Sequence, residues 1–178
     1  VMNRIKLHLI QIFSRGVSPS RLDAFRVVMP LAVILLFSRL SWEWSGDIPD
    51  CMWDPPGMAH WLLPIPLKLD QISLLKTAFL FSMLSLSAGF LSRASSLVAG
   101  LCLFFIVGNS IGAQYADRSA NSLILVLFVL SLSPSLGTQF SLDSWIFKRR
   151  ARDEADAIWP SRLIQFLFFF TFFSAGFS

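Results

Sequence analysis

The chain has 178 residues, of which 54% are hydrophobic and only 15% charged, against the roughly 25% charged of a soluble domain. Eighteen Phe and six Trp stand beside a single Tyr, the furnishing of lipid-facing helices and their interfacial ends. The formal net charge of +4 would suit nucleic acid in a soluble protein, but here the cations separate apolar runs, where they set membrane orientation, and no nucleic-acid partner is expected.

Residues 3 to 15, NRIKLHLIQIFSR, place Ile5, Leu9, Ile12 and Phe13 at helical spacing among Arg4, Lys6 and Arg15. That pattern predicts a basic amphipathic helix on the membrane surface over residues 1–21. A cleaved signal peptide fits less well, because the apolar stretch is interrupted and no cleavage site precedes Arg21. Residues 22–178 then form a transmembrane helical domain. Its five apolar segments run near 22–44, 71–91, 94–114, 121–135 and 158–178, each approaching the roughly 20 residues a spanning helix needs. The predicted fold is all-α: a polytopic membrane helical bundle of about five transmembrane helices preceded by the interfacial helix.

With the N-terminus on the cytoplasmic side, eleven Lys and Arg fall inside, and Arg39, Lys68, Lys76 and Arg118 fall outside. Cations of short loops are retained in the cytoplasm, so the bias predicts a multi-pass protein of the cell's inner (cytoplasmic) membrane with a cytoplasmic N-terminus. The loop over residues 45–70 carries prolines at 49, 55, 56, 64 and 66, which forbid a long helix. Its Trp53 and Trp61 suit the headgroup level.

Polar residues inside apolar segments are the candidate sites. Asp23 and Arg26, three apart at the start of the first span, share a helix face and can pair, as a buried anchor or an interfacial ion pair. Lys76 lies about a turn and a half into the second span, near enough to its end to snorkel; the alternative is a buried base. The third span ends GNSIGAQY, where Gly108 and Gly112 would allow close helix approach and Asn109 and Gln114 would hydrogen-bond across it. Ala175 and Gly176 would do the same for the fifth span. The cluster of Lys148, Arg149, Arg150 and Arg152 reads as a topology determinant in contact with lipid headgroups.

Two cysteines, Cys51 and Cys102, are too few for a disulfide framework and would lie at different depths. The two histidines, His8 and His60, fall in surface segments, so no span offers an imidazole to a haem or chlorophyll metal. No cofactor and no metal site is expected. The chain also has no HExxH, CxxC, Walker or GxSxG motif.

Three stretches resemble the horizontally transferred transmembrane (HTTM) family, to which the vitamin K-dependent gamma-glutamyl carboxylase belongs. SRLDAFRVVMPLAVILLF is similar to the family's opening Asp-x-x-x-Arg-like helix. NSLILVLFVLSLSPSLGTQFSLDSW is similar to its apolar helix, Leu-x-x-Ser-Pro turn and Ser-Leu-Asp segment. IWPSRLIQFLFFFTFFSAGFS is similar to its Trp-Pro-x-Arg-Leu-x-Gln helix ending in Ala-Gly. The resemblance implies a multi-helix membrane domain with a cytoplasmic N-terminus. Two departures bear on activity. Asp117, Arg118 and Ser119 stand where family members often carry a His, and Phe177 and Ser178 follow Gly176 where the carboxylase has lysines, one of them its proposed base. An ending of SAGFS after FLFFFTFF leaves the last span without a polar cap, as in a chain that continues.

Two functional expectations follow. The first is a non-catalytic accessory or scaffolding subunit, with membrane lipids and other integral membrane proteins as partners, in a larger and potentially energy-transducing complex. The alternative is the membrane half of a carboxylase-like, quinol-dependent enzyme whose lysine lies beyond residue 178. The lack of a catalytic constellation beside several packing ones favours the first.

Overall fold

A computed structural model describes residues 19–37, 43–46, 49, 53, 61, 65–112, 118–134, 136, 141–147 and 155–176. The expected surface helix over 1–21 falls almost wholly outside the described residues. So do Gln114, the basic run 148–152, both histidines and Cys51.

Among the described residues the fold is all helical. α1 spans Pro19–Phe37, α2 Leu69–Ala88, α3 Ser92–Gly112, α4 Arg118–Leu132, the short α5 Leu142–Phe147, and α6 Ala155–Gly176; a 3-10 turn occupies Glu43–Gly46. α2 and α3, whose starts lie within the described residues, each begin two residues before the apolar segment does. Polar residues such as Asp70 and Ser92 join their first turns, where backbone N–H groups have no partner inside the helix and polar surroundings suit them. Hydropathy marks the middle of such a helix better than its start.

The helices form a bundle in which α1 packs on α2, α2 on α3, α3 on α4 and α4 on α6, and α6 returns to touch α1. α3 sits deepest. Its Ala99, Leu103, Ile106 and Val107 are buried against Leu127 and Leu130 of α4 and Phe79, Met83 and Leu86 of α2 in one core. The α3–α4 seam is close because small side chains line it. Ser96 donates to the Leu127 carbonyl at 2.7 Å, and an added Cβ on Gly100 would lie 3.4 Å from Leu127 Cβ. α4 and α6 are joined by a 2.7 Å hydrogen bond between the Ser122 and Thr171 hydroxyls.

Among the described residues two helices, α2 and α3, are long and apolar enough to cross a membrane. They differ in enclosure: 56% of the apolar window of α3 is buried within the bundle, against 28% for α2. Apolar side chains that face outward include Leu35, Leu74, Phe81 and Leu132.

Candidate functional site

The bundle carries a buried polar cluster at each end. The first begins on α1, where the i,i+3 spacing brings Arg26 Nε to 3.6 Å from Asp23 Oδ1 with both side chains fully buried. Arg26 Nη1 continues to Ser92 Oγ at 3.3 Å. Ser92 opens α3, and its hydroxyl and backbone N–H both donate to Asp143 Oδ2, at 3.2 and 2.9 Å. The other oxygen, Asp143 Oδ1, accepts the Leu91 N–H at 2.8 Å.

This geometry solves a capping problem. The residue before α3 is Leu91, which has no side-chain acceptor for the helix's first N–H groups. Asp143 supplies the acceptor from α5, and its negative charge lies at the positive end of the α3 dipole. The Asp143 N–H in turn donates to the Gly89 carbonyl at 3.0 Å, so α5 is fastened to the α2–α3 turn in both directions. Gly89 ends α2 in the left-handed conformation, φ +76°, with its N–H and that of Phe90 returning to the carbonyls of Leu86 and Ser85. A Cβ there would run into Arg26 Nη1 and lie 2.5 Å from Ser141 Cβ. Glycine thus serves both the turn and the passage of the guanidinium beneath it.

Asp23, Arg26, Ser92 and Asp143 are all buried. Buried charges are tolerated only when paired and hydrogen-bonded, and here the guanidinium pairs with Asp23 and donates to the Ser92 hydroxyl, which in turn donates to Asp143. The result is a clamp joining the start of α1, the α2–α3 turn and α5. Among the described residues no group of three or more His, Cys, Asp or Glu is placed to hold a metal ion.

The second cluster, at the opposite end, centres on Asn109. Its Nδ2 donates to the Ser45 hydroxyl and carbonyl at 3.0 and 3.3 Å, and its Oδ1 accepts the Leu67 N–H at 2.9 Å. Both ends of the proline-rich loop are therefore tied to one buried amide. One turn along α3, Gly112 lies under the ring of Trp53, whose nearest atom would be 2.6 Å from an added Cβ.

The residues singled out from sequence thus occupy separate places. Asp23 and Arg26 meet; Asn109 and Gly112 hold the loop; Gly108 is buried on α3. Lys76 is partly buried on α2, and Ala175 and Gly176 fall in the last turn of α6. Ser92 and Gly89 were not marked by sequence reasoning, and Asp143 was marked only as part of the Ser-Leu-Asp segment of the resemblance. A glycine closing an apolar run was the available signal for Gly89; nothing signalled that Asp143 meets Ser92, more than fifty positions away. The chain matches no family model, no curated protein and no solved structure at a significant level.

Proposed function

We propose that the chain is an integral protein of the inner membrane, crossing it with α1, α2, α3, α4 and α6 from a cytoplasmic N-terminus, and that it acts as a non-catalytic accessory or scaffolding subunit. The observation that carries this reading is the surface of α6. Phe166, Phe169, Phe170 and Phe172 are each at least 60% exposed, while Thr171 is partly buried and bonded to Ser122. Such a face needs lipid or an apolar protein neighbour. The polar clusters support the same reading, because their hydrogen bonds hold helix ends and loop ends together. The alternation of the helices, with Asp23, Ser92 and Asp143 at one end and Ser45, Leu67 and Asn109 at the other, agrees with the eleven-to-four division of cations.

A second reading has one observation in its favour. The two segments similar to the HTTM family's opening helix and its Ser-Leu-Asp segment meet through Arg26, Ser92 and Asp143, as parts of one such domain would. On this reading the chain is the membrane half of a carboxylase-like, quinol-dependent enzyme. Gentle-detergent purification from the native membrane, mass spectrometry and a quinol epoxidation assay on the same material separate the two. Stoichiometric recovery with a larger membrane complex supports the subunit reading. A lone chain with epoxidation activity that Lys76→Ala abolishes rejects it.

A further inference from the structure

The clamp does more than join helices: it displays apolar side chains at its own end of the bundle. Phe90 and Leu91 in the α2–α3 turn are 46% and 48% exposed, and Leu142 and Trp145 on α5 are 44% and 82% exposed. The two hydrogen bonds between Asp143 and the turn, one accepted from the Leu91 N–H and one donated to the Gly89 carbonyl, bring these segments side by side. Leu91 has φ +44°, a region that strains a non-glycine residue. Glycine would relieve that strain, yet a leucine stands there with its side chain half exposed. A bulky apolar residue held in a strained turn and facing outward points to a ligand outside the bundle.

We propose that Phe90, Leu91, Leu142 and Trp145 form an interfacial wedge that seats in the anionic leaflet of the membrane. The occupant follows from charge. The sequence continues from α5 directly into Lys148, Arg149, Arg150, Ala151 and Arg152, which include four cations. Arg21 and Arg93 belong to helix starts at the same end. Tryptophan places its apolar ring and polar N–H at headgroup depth, and nearby cations add attraction to an anionic surface. Tryptophan, paired apolar side chains and a basic run fit phospholipid better than the uncharged apolar face of another helix.

The proposal rests on the membrane reading above, so its test begins by showing that the full chain stays in membranes after alkaline carbonate extraction. The chain is then reconstituted in vesicles of phosphatidylcholine, with and without phosphatidylglycerol. Trp145 emission is taken as the difference between the parent and Trp145→Phe. We expect quenching by phosphatidylcholine brominated near the glycerol, and quenching about two-fold stronger with phosphatidylglycerol present. Replacing Lys148, Arg149, Arg150 and Arg152 together by Gln should remove the phosphatidylglycerol effect without lowering the melting temperature. Leu91→Gly should weaken quenching while leaving the protein at least as stable. Release by carbonate overturns the membrane reading and the wedge with it. Retention with Trp145 open to aqueous acrylamide and blind to brominated lipid overturns the wedge alone. The same insensitivity in vesicles, with Trp145 shielded from acrylamide in native membranes, overturns it in favour of a protein partner.

Discussion

The two ends of the bundle are fastened by different chemistry. At one end a guanidinium and two carboxylates, Arg26, Asp23 and Asp143, are buried around the turn between α2 and α3. At the other a single neutral amide, Asn109, holds both ends of a loop. Removing one member of a buried ionic cluster leaves charge without compensation, whereas removing a neutral amide leaves only polar groups unsatisfied. The ionic end is therefore the more brittle one. It is also the end where three separate parts of the chain must arrive together.

The largest effect is expected for Asp143→Ala, which uncaps α3 and strips Arg26 of a nearby carboxylate. A loss of about 3–5 kcal/mol would appear as a sharply lower melting temperature in detergent, and Asp143→Asn, which keeps one acceptor, should recover part of it. If Asp143→Ala melts like the parent, the clamp is not what holds this end. Gly89→Ala should follow at about 2–4 kcal/mol, because it combines a left-handed backbone with displacement of the guanidinium; its melting should improve when Arg26 is shortened in the same chain. Asn109→Ala is expected to cost about 1–3 kcal/mol and to expose the loop. Faster proteolysis or thiol labelling between residues 47 and 64, with the helices still folded, would mark the loss as local. Equal sensitivity of both ends would erase the distinction drawn here.

The smallest effects sharpen the contrast within α3 alone. Gly112→Ala must push the Trp53 ring aside, at about 1 kcal/mol, and should change tryptophan emission. Gly100→Ala meets Leu127 and Phe128 at ordinary contact distances of 3.4 Å and beyond, so it should lie within about 0.5 kcal/mol of the parent or be slightly stabilising. If Gly100→Ala proves the more damaging, the α3–α4 seam is tighter than its distances indicate.

Much of this was legible along the chain. Apolar runs located α2, α3, α4 and α6 to within three residues at each end, because hydropathy over twenty positions is a local property; the first run, read to residue 44, extends past α1 into the 3-10 turn at Glu43–Gly46. The i,i+3 spacing of Asp23 and Arg26 sufficed to pair them, since a helix alone sets that distance. Gly112, by contrast, could be seen as a place for close approach, but not that an indole from the loop would fill it. A missing side chain says that something comes near without saying what.

The amino-acid sequence by itself determined the helical class, the order of the helices and which residues were too polar to sit in an apolar run without a partner. Only the tertiary structure decided who those partners are: that Asp143 caps α3 in place of Leu91, that Ser92 carries the connection to Arg26, and that Asn109 faces Ser45 and Leu67 rather than another helix. The reason is physical. Helix formation depends on neighbours within four positions, whereas a buried charge or amide is satisfied by whichever polar group packing brings within about 3 Å, and no periodicity along the chain encodes that meeting.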